Sequence, residues 1–186
     1  TRAKTLQFRR ATRAAPDHHF LHAESAERLT DRLLDLDMDF ATVAVLGWWP
    51  TPPSKLVPAK LGNSEVFDLS FNRGQAQADL EFLPLRASSF DLILSNMSLH
   101  WVNDLPGMLA QIRTALKPNG VFLGSALGGE TLHELRDSFV EAETQISGGY
   151  HPRMSPVMDL RDAASLLQRA GFNLPVADID RVNVAY

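Results

Sequence analysis

Apolar residues recur at helical spacing in four segments of the chain. The spacing predicts helices over residues 18–37, 104–116, 130–146 and 159–170. Asp17 is placed to act as N-cap of the first helix, and the run Lys117-Pro118-Asn119-Gly120 ends the second. Gly148 and Gly171 follow the last two helices, so those two also have clear stop signals.

Short apolar runs between the helices predict strands. They cover residues 43–46, 65–68, 90–96 and 121–126, and residues 176–186 alternate apolar and polar positions as terminal strands do. Strands that alternate with helices predict an α/β fold, with an open, mostly parallel, Rossmann-like sheet and helices on both faces. Ten residues separate Asp68 from Asp79. At about 1.5 Å and 3.3 Å rise per residue they cannot hold both a helix and a strand, so either this region is condensed or residues are missing.

Length and composition narrow the class of protein. The chain has 186 residues and 45% apolar residues, which predicts one domain over 1–186, with an N-terminal arm and helix at 1–37 and an inserted helix at 128–158. The net charge of -4 argues against nucleic acid as the main partner. The sequence has no cysteine, which excludes disulfides, thiolate metal sites and a cysteine nucleophile. No apolar run approaches the roughly 20 residues of a membrane span.

Two further features bear on metal binding and on compartment. His18, His19 and His22 lie close together but have no set of carboxylates or cysteines around them that would complete a metal site, so none is predicted. The first 16 residues are basic and carry no acid. They are compatible with the remnant of an organelle-targeting segment or with a solvated basic arm.

Ligands of open parallel sheets bind beyond the carboxyl ends of the strands. In this sequence those ends are Gly47, Asp68, Asn96 and the region 126–129. An acid such as Asp68 at the end of the second strand can accept hydrogen bonds from ribose hydroxyls. It can equally cap the next turn.

The run "ADLEFLPLRASSFDLILSNMSLHWVNDLP", residues 78–106, resembles the class I S-adenosylmethionine-dependent methyltransferases. In that family an acid-containing turn precedes the fourth strand. The resemblance implies that Asp79 accepts from the adenine amino group and that Leu80 covers the ring, although Asp79 also suits a plain turn. It implies cofactor contact at Ser95 and substrate contact at Asn96 and Trp101. His100 is the candidate general base or substrate-orienting group, or else a cap of the following helix.

Longer runs, 98–143 and 159–186, look like one branch of this family. The branch contains bacterial methyltransferases related to the malonyl carrier-protein methyltransferase of biotin synthesis, and the alphaproteobacterial members are the most similar in pattern. It also contains the mitochondrial complex I assembly factor, a methyltransferase-fold protein known as a protein arginine hydroxylase. The resemblance further implies that members continue past Tyr186, so that the C-terminal part of the sheet is truncated here.

The glycine-rich cofactor loop of the family, roughly "LDLGxGxG", corresponds here to "VAVLGWWPTP". Only Gly47 matches, Val45 replaces the usual acid, and Trp48, Trp49 and Pro50 stand where small residues are expected. Two interpretations stay open. The loop still binds S-adenosylmethionine, with a tryptophan stacking on the ligand, or the tryptophans plug an empty pocket.

The first functional hypothesis is methyl transfer from S-adenosylmethionine to a small molecule or a protein side chain. The alternatives are an inactive methyltransferase-fold binding or assembly factor, and protein arginine hydroxylation. The bacterial cytoplasm is the expected compartment, with the mitochondrial matrix as the alternative. The helix at 130–146 is expected to be either part of a lid over the substrate or a fixed core helix.

Overall fold

The computed structural model describes residues 19–47, 57, 60–68, 76–149, 151 and 157–184. The chain divides into two compact units, which meet in sequence between Ala126 and Leu127. Each unit is described by itself below. The expectation of one domain over 1–186 stays a prediction, because compactness within each unit does not test it.

The first unit contains a five-stranded sheet. Its strands are β1 (Phe40–Leu46), β2 (Leu61–Asp68), β3 (Ala76–Gln77), β4 (Phe90–Ser95) and β5 (Leu116–Gly124). Their order is β3-β2-β1-β4-β5, and every neighbouring pair is parallel. The predicted parallel α/β sheet is therefore confirmed, and strands 43–46 and 90–95 are direct neighbours within it.

Both faces of the central strands are buried. Val43 and Val45 point to one face of β1 while Ala44 and Leu46 point to the other, and all four are 0% exposed. A strand that is covered on both sides is apolar throughout, which explains why the run 43–46 shows no alternation.

Helix α1 (Phe20–Leu34) covers the face that carries Val43 and Val45. Its buried residues Ala26, Leu29 and Leu33 follow the helical period and pack into the same cluster. The helix is shorter than the predicted 18–37, because the chain turns at Asp35. The predicted cap Asp17 lies outside the described residues.

Helix α2 (Leu105–Ala115) buries Met108, Leu109, Ile112 and Ala115. Its N-cap is Asp104, whose carboxylate accepts from the Gly107 amide at 2.9 Å. The helix ends at Ala115, and Leu116 already has extended backbone, so β5 starts five residues before the predicted strand at 121. Leu116 pairs with Phe90 of β4, which explains the difference. Pairing with a neighbouring strand extends β5 into residues that the local sequence predicts as the end of a helix.

Only part of the stretch between Asp68 and Asp79 belongs to the described residues, which leave out 69–75. Strand β3 has only two residues, which pair with Phe67 and Asp68 of β2. The choice between a condensed region and missing residues stays a prediction.

The second unit contains α3 (His133–Ser147) and α4 (Leu160–Arg169). Asp159 caps α4 by accepting from the Arg161 amide at 2.8 Å, and Gly148 and Gly171 take the left-handed backbone expected after the two helices. The terminal strand prediction at 176–186 is wrong for its described part, since residues 176–184 form no strand. Alternation of apolar and polar residues makes a strand only where a neighbouring strand supplies backbone hydrogen bonds. The lid reading of 130–146 stays a prediction.

An ion pair joins three strands near their amino ends. Lys117 Nζ of β5 lies 2.9 Å from Asp91 Oδ2 of β4, and the same carboxylate oxygen accepts from the Thr42 hydroxyl of β1 at 2.8 Å. Partial burial acts to raise the pKa of Asp91, but the hydrogen bonds from Lys117 and Thr42 outweigh it and hold the pKa below its usual value.

We expect Lys117→Met to lower the free energy of unfolding by about 1 kcal/mol at neutral pH, the upper end for a partly exposed pair. Because the folded pKa of Asp91 is lowered, its stabilising effect is present above the unfolded pKa and disappears as pH falls through the folded value. Urea denaturation of both proteins should therefore show a stability gap at neutral pH that narrows in acid. Arg28→Met, which removes an ion pair within one helix, is the control and should lower the free energy of unfolding by less. A gap independent of pH would contradict this role of Asp91.

Candidate functional site

The order of the strands creates a switch point between β1 and β4. The chain proceeds from β1 to β2 and β3 on one side and then continues with β4 and β5 on the other. Beyond the carboxyl ends of two such strands the connections diverge and leave a crevice. Here the crevice lies after Leu46 and Ser95, which are partners in the ladder.

Gly47 occupies the β1 side of this crevice. It is buried and has φ +82°, a left-handed conformation that side chains rarely adopt. A Cβ built on Gly47 would lie 2.8 Å from Ser98 Cβ and 3.2 Å from the Asn96 carbonyl oxygen. The glycine is therefore required by close packing against the loop after β4, whether or not a ligand binds. Trp48, Trp49 and Pro50 lie outside the described residues.

The loop after β4 is held by buried polar groups. The hydroxyls of Ser95 and Ser98 are 2.6 Å apart, and both residues are 0% exposed. Asn96 is 1% exposed; its Nδ2 donates to the His22 carbonyl at 3.1 Å and its Oδ1 accepts from the Ser125 hydroxyl at 3.2 Å. These partners favour a structural role for the Ser95 and Asn96 side chains over direct ligand contact. Their predicted cofactor and substrate contacts stay predictions.

His22 of α1 therefore borders the loop through its backbone. Its imidazole is partly buried, and this burial, together with the neighbouring His19, lowers the pKa of His22 to about 4. The two rings meet edge to face with centroids 5.9 Å apart. The charged form of His22 is thus disfavoured in the folded protein.

The turn after β3 carries Asp79 and Leu80. Asp79 is exposed and its Oδ1 accepts from the Glu81 amide at 3.0 Å, which is how a turn residue uses a carboxylate. Leu80 is 2% exposed. An exposed acceptor next to a buried apolar side chain is compatible with adenine binding and equally with a plain turn. Asp68 ends β2 as predicted, but its side chain lies outside the description.

Glu81 connects this turn to the loop that follows β4. Its Oε1 accepts from the backbone and side-chain amides of Asn103 at 3.0 and 2.6 Å. Gln111 of α2 adds a second tie, since its side chain bonds the Glu81 carbonyl at 2.8 Å and the Leu83 amide at 2.9 Å. The structure therefore brings together the turn at 79–83 and the segment leading away from Trp101.

His100 and Trp101 lie in a 3₁₀ turn, Leu99–Trp101, at the carboxyl edge of β4. Both are partly buried, and their ring centroids are 5.4 Å apart at 40°. Asp104 rather than His100 caps the following helix, so the capping interpretation of His100 is wrong. Its role as a base or as a substrate-orienting group stays a prediction.

Sequence reasoning missed the residues that hold the site backbone, namely Ser25, Glu81, Ser98, Asn103 and Ser125. The acid pair Asp79-x-Glu81 was a visible signal for Glu81, whereas single serines carry no pattern. Among the described residues no group of three or more His, Asp or Glu is placed to hold a metal ion. No helix of the described chain is long and apolar enough to span a membrane.

Comparison with known proteins defines the class. A methyltransferase-domain family matches residues 59–124. The solved Haemonchus contortus phosphoethanolamine N-methyltransferase 2, in complex with phosphomonomethylethanolamine and S-adenosylhomocysteine, superposes with a TM-score of 0.56 at 17% identity, over 80% of this chain and 37% of the other. The chain has the fold of the class I S-adenosylmethionine-dependent methyltransferases.

Two relatives in sequence have more specific names than the family. The mitochondrial arginine hydroxylase NDUFAF5 of Danio rerio is 39% identical over 91% of this chain and 56% of its own length. The malonyl-[acyl-carrier protein] O-methyltransferase of a Methylovorus strain is 41% identical over 59% of this chain and 35% of its own length. The resemblance seen in the sequence is thus confirmed. The chain spans about half the length of the Danio rerio relative and about a third of the length of the Methylovorus relative.

We expect Gly47→Ala to destabilise the protein by about 2–4 kcal/mol, because a left-handed alanine and a clash with Ser98 add together. Ser98→Gly in the same chain removes the Cβ that lies 2.8 Å away and should restore part of the loss. Chemical denaturation of both single variants and the double variant measures the coupling between the sites. Strictly additive losses would contradict direct packing between Gly47 and Ser98.

The lowered pKa of His22 predicts acid sensitivity. Between the ordinary value of 6.5 and about 4 the unfolded chain takes up a proton that the folded protein excludes, so stability falls as pH falls through this window. His22→Gln should flatten that slope, while its backbone carbonyl still accepts from Asn96. His133→Gln, at an exposed histidine, is the matched control. An unchanged slope in His22→Gln would show that other groups cause the acid sensitivity.

Proposed function

We propose that the chain binds S-adenosylmethionine at the carboxyl edge of the sheet and is part of a methyltransferase acting on a small molecule or a protein side chain. One observation carries the proposal: the β1/β4 switch point, with Gly47 on one side and the segment 95–101 on the other. Parallel sheets of this type bind nucleotide-like ligands at that point.

The residues at this edge suit the adenosine part of the cofactor. The exposed Asp79 carboxylate is an acceptor for an exocyclic amine. Leu80 is only 2% exposed, so Asp79 rather than Leu80 carries this part of the proposal. Gly47 argues neither for nor against cofactor binding, because the side on which a Cβ would stand packs against Ser98. When bound, the cofactor supplies a methyl group already activated by a sulfonium.

The protein then needs chiefly to orient the acceptor. Trp101 offers an aromatic wall next to His100, with 5.4 Å between the ring centroids. The His100 imidazole is the group in this segment proposed to take a proton from the methyl acceptor. The hydrogen bonds between Glu81 and Asn103 hold the two parts of the proposed site at a fixed separation.

A second candidate is a methyltransferase-fold protein with a different role, either protein arginine hydroxylation or complex assembly. The observation that favours it is the 39% identity to a relative named as an arginine hydroxylase, which extends over 91% of this chain. Two cellular compartments also remain as alternatives. We propose the bacterial cytoplasm first and the mitochondrial matrix second, and the name of that relative supports the latter.

Calorimetric titration with S-adenosylhomocysteine tests the cofactor proposal. Asp79→Asn keeps an oxygen that can accept from the Glu81 amide but presents a donor in place of the second carboxylate oxygen. We expect about tenfold weaker binding, near 1.4 kcal/mol, with unchanged thermal stability.

Asp31→Asn, at an exposed carboxylate on α1, is the matched control and should bind normally. An unchanged dissociation constant in Asp79→Asn would remove Asp79 from the site. No binding of S-adenosylmethionine or S-adenosylhomocysteine by the unmodified protein would favour the assembly role.

A further inference from the structure

The Ser125 side chain lies where three elements of the first unit meet. Its hydroxyl accepts from Ser25 Oγ of α1 at 2.8 Å and from the Met97 amide at 2.9 Å, and it donates to Asn96 Oδ1 at 3.2 Å. A hydroxyl has one donor and two acceptor lone pairs, so this one uses its full capacity within the protein. The Ser125 amide adds a fourth bond, to the Ser95 carbonyl at 2.9 Å.

These bonds hold a backbone conformation that would otherwise be unfavourable. Met97 is a non-glycine residue with φ +49°, and it is only 6% exposed. A left-handed conformation costs an L-residue about 1–2 kcal/mol and persists where the surroundings impose it. The Ser125 hydroxyl satisfies the amide of that strained residue directly.

The same junction ties the loop to α1. The side-chain oxygen of Asn96 accepts a hydrogen bond from the Ser125 hydroxyl, and its side-chain nitrogen donates one to the His22 carbonyl. Ser25, one turn further along α1, donates to Ser125. Residues 95–97 are therefore held by Ser125, which directly follows β5, and by α1 together, shortly before the turn that carries His100 and Trp101.

We propose that Ser125 is a positioning residue, whose hydroxyl fixes the Met97 backbone and thereby the direction in which His100 and Trp101 are presented at the edge of the sheet. Its relevance to ligand binding rests on the proposed function. Ser125 acts on the site through the backbone and needs no contact with a ligand.

The test measures the geometry of the loop without any ligand. In Ser125→Ala, amide hydrogen exchange at Met97 should accelerate about tenfold or more relative to Leu92 and Leu94 in the core of β4. The amide signals of residues 98–101 should shift in the same spectrum. Ser125→Thr retains the hydroxyl and should restore both readouts.

Ser25→Ala is the matched control, since it removes one bond to Ser125 and leaves the bond to Met97. It should change Met97 exchange less than about threefold. Two results would overturn the proposal. One is unchanged exchange and unchanged signals in Ser125→Ala. The other is an equal effect of Ser25→Ala and Ser125→Ala, which indicates general loosening.

Titration with S-adenosylhomocysteine separates this inference from the proposed function. If the unmodified protein binds it, Ser125→Ala should bind about tenfold more weakly and Ser125→Thr within about threefold of normal. Equal binding by all three would limit Ser125 to a structural role and overturn its relevance to the site. If the unmodified protein does not bind, the proposed function fails, while the exchange measurement still decides whether Ser125 positions the loop.

Discussion

The parallel pairing of β1 with β4, buried on both faces, is the constraint on which the first unit depends. Strands in this position must be apolar throughout and must be covered by helices, and α1 provides that cover on one side. Because the two strands run in the same direction, Gly47 and the segment after Ser95 emerge at the same edge. The candidate site is thus a consequence of how the core is built.

Beyond the ends of these strands, side-chain contacts hold the backbone in place of the hydrogen bonds between strands. Gly47 and Met97 both adopt left-handed conformations, one allowed by the missing side chain and the other held by hydrogen bonds. The contact of Gly47 with Ser98 and the serine pair 95/98 leave little freedom between the two connections. An edge held in this way suits the proposed methyl transfer, in which placement of the acceptor is the protein's main contribution.

The same edge explains why the fold does not decide the activity. Relatives of this chain are named as an arginine hydroxylase and as a carrier-protein methyltransferase. The part of this chain that matches the methyltransferase-domain family, residues 59–124, includes the turn at Asp79 and the strand β4. Chemistry is decided by a few side chains and by the ligands they admit, and these vary on a common scaffold.

The sequence by itself determined the α/β class, the central strands and the helix stops at Gly148 and Gly171, because these follow from local periodicity and from the backbone freedom of glycine. It did not determine the start of β5 at Leu116 or the lack of a strand at 176–184, since pairing depends on a partner distant in sequence. Only the tertiary structure decided that Gly47 is required by Ser98, and that Ser25, Asn96 and Ser125 form one network. Those residues are 100 positions apart at the extremes, and single serines leave no periodic trace in a sequence. Their roles come from the close approach of three chain segments, which a linear pattern does not record.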